Sequence, residues 1–543
     1  MIDKPKNKTT RGVIMEKMMG VMLDCSRNAV MRVESVKKYA EIIKKMGYNT
    51  LMLYTEDTYE VNNQPLFGHL RGRYSKKELK EIDAYCNEIG IELIPCIQTL
   101  AHISSIFKWE NVYEEVNDCD DILLVGEEKT YKLIEDMIST ISEVFTTRKI
   151  HIGMDEAYRV GQGKYEQLHG IRDRFDIINE HLHKVCEITE KYGMKPMIWN
   201  DMFVKLALDI KDQYADSDNS KITEKASLPA GVSLVYWDYY STDYERYAKM
   251  IETTKLFKRE VYFAGGAWTW NGFAPDNDYS IKATKAAIEA CNDCGVDGMF
   301  FTVWGDDGAE CSKFAVLPAL MYAAEKAKGN DDLNDIKAKF KTITGCEFDN
   351  FLLFDKLDTP GGKHRRSASK YVFYNDLFLG VRDCLCSEND GVYYANLEKE
   401  LHNVCEKGSF ELLFDTYEKF ASLLKIKAAL GLKMKKAYRN RDTEALKNII
   451  DDCDVLTRRV KEFHKLHQKR WFEENKPHGF DVQDLRIGGL LQRIASCKER
   501  LMLFVGGETD EIPELAEPDT NNIFGKHNIW CREVSPNVIS HAL

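Results

Sequence analysis

Eight short runs of β-branched and apolar residues alternate with longer helical stretches over about the first 330 residues of this 543-residue chain. Alternation of this kind is typical of repeated βα units, whose strands run parallel. Eight such units close into a (β/α)8 TIM barrel with the helices outside. The predicted strands are residues 21–24, 50–54, 91–98, 149–154, 195–199, 233–238, 261–264 and 298–304.

The helical stretches between these runs have the period of amphipathic helices. Val36, Ala40 and Ile43 fall on one face of the first stretch, and Gly47 follows where a C-cap glycine belongs. An open, doubly wound sheet is the alternative architecture. It is disfavoured because no glycine-rich phosphate loop follows the first run.

Strand patterns stop near residue 330, and helical periods replace them. A helix is predicted over 333–344, and another begins behind an N-cap at Asp442. We therefore predict an N-terminal extension (1–17), a catalytic barrel (18–330) and an all-α helical C-terminal domain (331–543). Residues 203–230, between the fifth and sixth runs, are expected to form a helix and a surface loop.

Charge and composition exclude several classes of function. The net charge of −12 argues against a nucleic-acid partner, which would need a basic surface. The N-terminal segment lacks the apolar core of a signal peptide, and no stretch is apolar enough to span a membrane, so we expect a cytoplasmic protein without a membrane partner. The fifteen scattered cysteines predict reduced thiols, and neither a metal site nor a cofactor is expected.

Polar and aromatic residues gather where the runs end, which is the edge of a barrel that carries the active site. Most of the eight tryptophans lie there, and aromatic walls with nearby carboxylates suit a pyranose ring. The candidates are Asp24, Arg27, Glu56, Asp57, Gln98, His102, His151, Asp155, Glu156, Trp199, Asp201, Tyr236, Trp237, Asp238, Tyr239, Trp268, Trp270, Trp304 and Asp306.

Several of these residues have an ordinary structural explanation. Asp24 and Glu56 could be strand-end or helix-cap residues, His151 is expected in the core, and Trp270 is expected to prop Trp268 by packing. Arg27 could simply pair with a neighbouring acid.

Asp155 and Glu156 are different, because packing gives no reason for two adjacent acids after an apolar strand. Neighbouring residues cannot easily stand on opposite sides of a glycosidic bond, about 5 to 9.5 Å apart, as two-carboxylate glycosidases require. They suit substrate-assisted catalysis, in which one acid serves the leaving group and the other serves the substrate's own nucleophile.

The segment His151-Ile-Gly-Met-Asp-Glu156 resembles the His-x-Gly-small-Asp-Glu pattern of glycoside hydrolase family 20, the β-N-acetylhexosaminidases. More closely, several segments in the same order look like the streptococcal-type exo-β-N-acetylglucosaminidases of that family. The resemblance extends from about residue 18 to beyond 500. The segments are 20–30, 54–57, 94–102, 199–202, 234–240, 264–268, 471–476 and 488–494.

The resemblance implies a retaining, exo-acting enzyme that removes terminal β-linked N-acetylglucosamine or N-acetylgalactosamine from oligosaccharides. Glu156 would be the general acid and then the general base, and Asp155 would orient the 2-acetamido group as its carbonyl attacks C1 to form an oxazolinium. A tyrosine would hydrogen-bond that carbonyl. The Tyr-x-Asp pattern points to Tyr236 with Asp238 on a sugar hydroxyl, whereas the Trp-Asp-Tyr pattern points to Tyr239, and both stay open.

The resemblance also implies the substrate contacts. Trp199, Trp268 and Trp304 would enclose the acetamido methyl and the ring. The remaining substrate-binding candidates are Arg27, Glu56, Asp57, His102, Asp201, Trp237, Asp238 and Asp306.

Two family features differ in this sequence. Met19 stands where many members have a sugar-binding arginine, which Arg27 or Arg71 could replace, and the Trp-x-Glu of the eighth strand is Trp304-Gly305-Asp306.

Two other functions compete with this hypothesis. One is a metal-dependent sugar isomerase or aldolase that uses Glu56, Asp57, His102, Asp155 and Glu156 as ligands. The other is a glycan-binding protein without catalysis, in which the aromatic residues hold the sugar and the helices dock a partner. The resemblance and the surplus of amphipathic helices together suggest a homodimer formed through the helical domain.

Overall fold

The computed structural model describes residues 17–211, 220–225, 227–360 and 367–518. Eight parallel strands form a closed barrel in the order β1-β10-β9-β8-β7-β6-β3-β2, and β4 and β5 form a separate two-stranded sheet. The strands are β1 (Met18–Asp24), β2 (Thr50–Tyr54), β3 (Glu92–Cys96), β4 (Asn117–Cys119), β5 (Ile122–Leu123), β6 (Lys149–His151), β7 (Lys195–Trp199), β8 (Ser233–Trp237), β9 (Val261–Gly266) and β10 (Gly298–Val303). The predicted (β/α)8 barrel is confirmed.

Helices cover the outside of the barrel and make up the described chain beyond it. Those of the barrel half are α1 (Val33–Met46), α2 (Lys76–Glu88), α3 (Ser104–Phe107), α4 (Glu110–Tyr113), α5 (Glu128–Val144), α6 (Lys164–His169), α7 (Arg174–Lys191), α8 (Asp201–Leu208), α9 (Ser220–Lys225), α10 (Tyr244–Lys255), α11 (Asn277–Cys294) and α12 (Leu317–Ala327). Those that follow are α13 (Leu333–Thr344), α14 (Phe348–Leu352), α15 (Ala368–Tyr374), α16 (Asp390–His402), α17 (Glu411–Arg439), α18 (Thr443–Glu474), α19 (Phe480–Val505) and α20 (Pro513–Ala516).

The predicted helix ends agree with the structure. Gly47 caps α1 with φ of 106°, and its N–H donates to the carbonyl of Ile43. The Asp442 side chain accepts from the N–H of Ala445 at the start of α18. Within 203–230, α8 ends at Leu208, and residues 212–219 and 226 of the predicted loop lie outside the described residues.

Four strands end before the apolar runs that predicted them, and two of these differ by more than one residue. The third run ends as a strand at Cys96 and the fourth at His151, although both runs continue for two or three residues. Gly153 and Met154 have φ of 75° and 73°, a left-handed conformation that cannot continue a strand. The predicted limits of these two strands are therefore wrong at their C-terminal ends, where the backbone turns into the site.

Side chains along each barrel strand alternate between the interior and the helical layer. On β8, Val235 belongs to the interior cluster, whereas Leu234 and Tyr236 belong to the larger cluster between strands and helices. The interior cluster is aromatic towards the C-terminal ends of the strands, where it includes Trp199 and Trp304. The alternation thus decides which side chains can reach a site at that end.

The helical region packs against the barrel through the same large cluster of buried apolar residues. Phe273, in the segment after β9, contacts Phe373, Phe420 and Phe463 of the helical region, with ring centroids 4.6 to 5.7 Å apart. The helices therefore do not form an isolated core. The limits 18–330 and 331–543 stay predictions.

The described cysteines are free thiols. Among the residues placed by the structure, no helix is both long and apolar enough to cross a membrane.

Candidate active site

A cavity opens at the C-terminal ends of the barrel strands. Eight of the predicted site residues line it, together with Tyr240 and Trp270. The predicted members are Arg27, Asp155, Glu156, Trp199, Trp237, Tyr239, Trp304 and Asp306.

The segment after β6 presents Asp155 and Glu156 to this cavity. Glu156 itself has φ of 51°, so three of the four residues from Gly153 to Glu156 are left-handed. Such conformations cost roughly 1–3 kcal/mol for residues other than glycine and concentrate at functional sites. The backbone N–H of Glu156 donates to Oδ2 of Asp201 at 3.2 Å, which holds the turn. The local backbone thereby lets two adjacent acids line the same cavity.

Asp155 is held as a carboxylate by two neighbours. Gln98 Nε2 donates to its Oδ1 at 2.7 Å, and His102 Nε2 lies 3.2 Å from its Oδ2. Burial opposes the charge, but His102, Gln98 and Arg27 together outweigh burial and lower the pKa of Asp155 to about 2. Conversely, burial of the imidazole is outweighed by Asp155, and the pKa of His102 rises to about 9. The pair is therefore ionic at neutral pH.

Glu156 lies at the more open side of the cavity. The Tyr158 hydroxyl donates to its Oε1 at 3.0 Å, and Lys205 Nζ donates to that hydroxyl at 3.2 Å. Asp201, fully buried beneath them, accepts from Trp237 Nε1 at 3.4 Å. Burial raises the pKa of Asp201 to about 6, against the lowering effect of Lys205. Asp201 thus supports Glu156 and Trp237 from behind the cavity wall.

Arg27 and Asp306 form an ion pair in the cavity lining. Arg27 Nε lies 3.3 Å from Asp306 Oδ1, and the guanidinium is 4.6 Å from the centroid of the Trp304 ring. Glu56 is 3.7 Å from Arg27, and burial raises the pKa of Glu56 to about 7 despite that cation. A cation flanked by acids and an indole can grip sugar hydroxyls through charge-assisted hydrogen bonds.

Arg71, the alternative to Arg27, is engaged elsewhere. Its Nε and Nη2 donate to the Asp57 carboxylate at 2.9 to 3.2 Å, and Nη2 also donates to the Ser26 carbonyl. Neither Asp57 nor Arg71 lines the cavity. Of the two arginines, Arg27 is therefore the one that lines the cavity, and the expected direct role of Asp57 finds no support in this placement.

The aromatic wall differs from the expectation at one pair. Trp268 and Trp270 stack with centroids 4.6 Å apart, but Trp270 lines the cavity and Trp268 lies behind it, with Nε1 donating to the Tyr239 carbonyl at 3.0 Å. We expected Trp268 to line the cavity and Trp270 to support it, and the structure has the two roles exchanged. Both residues lie beyond the end of β9, where the alternation of a strand no longer determines which side a residue faces.

The structure separates the two candidate tyrosines. Tyr239 lines the cavity and stacks on Trp237 with centroids 5.2 Å apart. Burial raises the pKa of Tyr239 well above its usual range, so its hydroxyl stays protonated. Tyr236 points into the helical layer and donates to Asp238 Oδ2 at 3.2 Å. Asp238 also pairs with Arg246 at 3.1 Å. Neither Tyr236 nor Asp238 lines the cavity.

Sequence reasoning missed two residues with a direct place in the site. Tyr240 lines the cavity, and the run of aromatic residues from 236 to 240 was a signal that could have included it. Tyr158 contacts Glu156, and its position two residues after the acid was its sole signal. His151, in contrast, is buried as expected. Its Nδ1 accepts from the Gly153 N–H, and burial lowers the pKa of the imidazole to about 3.

A (β/α)8 barrel that places adjacent carboxylates in an aromatic cavity has the architecture of a carbohydrate-cleaving enzyme. The model of the glycosyl hydrolase family 20 catalytic domain matches residues 18–291, and that of the glycoside hydrolase 20C C-terminal domain matches residues 349–526. The chain belongs to glycoside hydrolase family 20.

Among curated proteins, the chain is similar to hexosaminidase D of Bos taurus (26% identity; 46% of this chain and 69% of the relative). It is also similar to hexosaminidase D of Homo sapiens (24% identity; 41% of this chain), of which it spans less than half, 45%. Among solved structures, it is similar to the Vibrio harveyi exo-β-N-acetylglucosaminidase in complex with N-acetylglucosamine (15% identity, TM-score 0.47; 62% of this chain and 58% of that one).

Proposed function

We propose that this glycoside hydrolase is a retaining, exo-acting β-N-acetylhexosaminidase that releases terminal non-reducing β-linked N-acetylglucosamine or N-acetylgalactosamine. The observation that carries the proposal is the adjacency of Asp155 and Glu156 at one cavity. The names of the two hexosaminidase D relatives support the acetamido sugar as substrate. The ion pair of Arg27 and Asp306 across one end of the cavity supports the exo mode.

Glu156 serves the leaving group in this mechanism. In the first step it gives a proton to the glycosidic oxygen while the bond from that oxygen to C1 breaks. In the second step it takes a proton from the water that attacks C1. Its contact with the half-exposed Tyr158 at the open side of the cavity supports this role, because the leaving sugar must depart towards solvent.

Asp155 and Tyr239 serve the acetamido group. The carbonyl oxygen of that group attacks C1 and forms an oxazolinium, and Asp155 accepts a hydrogen bond from the N–H as positive charge develops. A carboxylate kept ionised by Gln98 and His102 suits that task. Tyr239 donates to the carbonyl oxygen, a role supported by its place in the cavity lining. Two displacements at C1 give retention.

The remaining lining residues bind the sugar. Trp199, Trp270 and Trp304 supply apolar surface for the ring and the acetamido methyl, and Trp268 supports Trp270 from behind. Arg27 and Asp306 bind ring hydroxyls, with Glu56 beside them. His102 and Asp201 act on the carboxylates and Trp237 rather than on the sugar. No cofactor enters the mechanism.

The first test compares p-nitrophenyl β-N-acetylglucosaminide with the plain β-glucoside. We expect cleavage of the acetamido sugar alone, and inhibition by a thiazoline analogue of the oxazolinium. Glu156→Gln should fold normally and lose roughly 10²- to 10⁴-fold in kcat, the usual effect of removing a positioned acid. Cleavage of both sugars at similar rates would contradict the substrate-assisted mechanism.

Rival functions make different predictions for the same protein. A metal-dependent isomerase would lose activity after exhaustive EDTA treatment, whereas the hydrolase should keep it. Among the described residues, there is no group of three or more His, Cys, Asp or Glu side chains that could hold a metal ion. A glycan-binding protein would bind the sugar without turnover.

A cytoplasmic location is a further part of the proposal. It is supported by the free thiols of the described cysteines, since disulfides are rare in that compartment. Cell fractionation with an antibody to the protein tests it, and recovery outside the cytoplasm would contradict it.

A further inference from the structure

The segment that follows β10 carries Asp306 into the cavity and then turns sharply. Asp307 and Ala309 have φ of 49° and 54°, and Gly308 has φ of 119°. All three residues therefore have positive φ, a backbone conformation that is energetically costly for Asp307 and Ala309 because they carry side chains. Such a turn persists when surrounding contacts fix it, and here those contacts come from the helical region.

Two cations of the helical region hold the turn. Arg486 on α19 donates from Nη2 to Asp307 Oδ1 at 2.8 Å and from Nη1 to Glu310 Oε1 at 3.0 Å. Lys370 on α15 lies 3.0 Å from Asp307 and 2.8 Å from Glu310. Arg486 also donates to the Asp307 carbonyl at 2.7 Å, and Gln483 donates to the Gly308 carbonyl at 2.8 Å.

The neighbouring segment, which carries Arg27, is tied to the same helices. Asn28 Nδ2 donates to the carbonyl of Gly308 at 3.2 Å and to that of Gly479 at 2.8 Å. The N–H of Lys476 donates to the Val30 carbonyl at 2.8 Å. The helical region therefore contacts both segments whose side chains, Arg27 and Asp306, form an ion pair in the cavity lining.

We propose that the helical region positions the sugar-binding end of the active site, with Arg486 and Lys370 fixing the turn that presents Asp306 to the substrate. Arg486 is a positioning residue, since it contacts Asp307 and Glu310 and does not line the cavity. The inference rests on the proposed function, because Asp306 binds a sugar only if the cavity is a sugar site.

Burial explains why the network would control geometry. Lys370 and Glu310 are 1% and 2% exposed, and buried ion pairs offset much of their attraction by desolvation. Replacing the whole network with apolar residues would therefore change stability little, whereas removing one partner leaves a buried charge uncompensated and disturbs the turn. Loss of Arg486 removes its contacts with the carboxylate and carbonyl of Asp307 and with Glu310, which lets the turn relax and moves the adjacent Asp306.

The test compares Arg486→Met with Arg493→Met. Arg493 lies on the same helix two turns further on and pairs with Asp376 of the helical region at 2.6 Å, so it matches the residue type without reaching the barrel. We expect Arg486→Met to raise KM for p-nitrophenyl β-N-acetylglucosaminide, and the dissociation constant of N-acetylglucosamine, by about tenfold with kcat nearly unchanged. Arg493→Met should leave both constants unchanged. Equal shifts in the two variants would overturn the inference.

A double-mutant cycle separates positioning from general destabilisation. In an Asp306→Asn background, the increase in KM from Arg486→Met should largely disappear, because the two residues act on one contact. The same increase in both backgrounds would overturn the inference.

If Arg486→Met does not fold, the same measurements on Arg486→Lys decide, since one ammonium cannot bind both Asp307 and Glu310 as the guanidinium does. Wild-type protein that neither binds nor cleaves the acetamido sugar would overturn both proposals, whereas wild-type activity with unchanged KM in the variant overturns this one alone.

Discussion

The charge at the centre of the site depends on His102, which lies between the two adjacent acids. Its Nε2 is 3.2 Å from Asp155 Oδ2 and 3.6 Å from Glu156 Oε2. Burial alone would keep the imidazole neutral, yet the carboxylates of Asp155 and Glu56 raise its pKa to about 9. At neutral pH the imidazolium therefore offsets part of the negative charge of the pair, which keeps Asp155 available as an acceptor.

This pKa shift predicts how stability depends on pH. Because the folded-state pKa of His102 exceeds its ordinary value of 6.5, its contribution is fully present below about pH 6.5 and is lost as the pH rises to about 9. The free energy of unfolding of the wild type, relative to His102→Gln, should fall by roughly 1–3 kcal/mol over that window. Urea unfolding at pH 6 and at pH 9.5 measures the difference. A constant difference would contradict the assigned charge.

The two tyrosines near the end of β8 give a second prediction. Tyr239→Phe removes the hydroxyl proposed to donate to the acetamido carbonyl, so kcat should fall by roughly 10²- to 10³-fold, as for loss of one preorganised donor. Tyr236→Phe removes a hydrogen bond to buried Asp238 and should cost about 1 kcal/mol of stability with little change in kcat. Steady-state kinetics and thermal unfolding of both variants provide the measurement. A larger loss of kcat in Tyr236→Phe would reverse the assignment.

At the scale of elements, the sequence predicted the strands and helices well, but it predicted the C-terminal ends of some strands poorly. The period of apolar residues identified all eight barrel strands and the caps at Gly47 and Asp442. The apolar run to residue 154, however, continues through Gly153 and Met154, whose backbone turns left-handed. A side-chain pattern does not report φ, so the turn that presents Asp155 and Glu156 to the cavity could not be predicted from it. For the same reason Trp268 and Trp270, beyond the end of β9, were ordered wrongly.

The turn after β6 can be tested at Gly153. A Cβ there would lie 1.9 Å from Gln98 Oε1, and Gln98 holds Asp155 through its other amide atom. Gly153→Ala should therefore lower stability by about 2–4 kcal/mol and lower kcat as Asp155 shifts.

The matched control for that substitution is Gly295→Ala. Gly295 has φ of 71°, and a Cβ there would meet nothing within 4 Å, so the strain acts without the clash. It should cost about 1–2 kcal/mol and leave kcat unchanged. Thermal unfolding and kinetics of both variants test the comparison, and unchanged kcat in Gly153→Ala would show that Asp155 does not depend on this turn.

At the scale of the whole molecule, the helical region and the barrel act as one unit. The helical period indicated a second domain, and the helices are there, but periodicity reports one face of one helix at a time. It could not show that Phe273 of the barrel inserts among Phe420 and Phe463, or that Arg486 reaches Asp307, since these contacts join residues far apart in the chain. The sequence therefore predicted that Asp155 and Glu156 lie together at the barrel end, while the contacts between the helices and the site came from the structure.

The helical region also bears on assembly, and a homodimer formed through α19 is the last prediction. Leu485 is 74% exposed, and Leu503, eighteen residues or five helical turns further on, lies on the same face and is 37% exposed. A two-fold interface would bury each of these leucines in both copies of the chain, so one substitution changes the interface at two places. Multi-angle light scattering should give twice the 62.6 kDa of the chain for the wild type and a single chain for Leu485→Asp, because burying an unpaired carboxylate is costly. Val392→Asp, which places the same charge at a 65% exposed position on α16, is the control and should remain dimeric. A wild type that elutes as a single chain at every concentration would contradict the dimer. The proposed activity would then belong to the single chain.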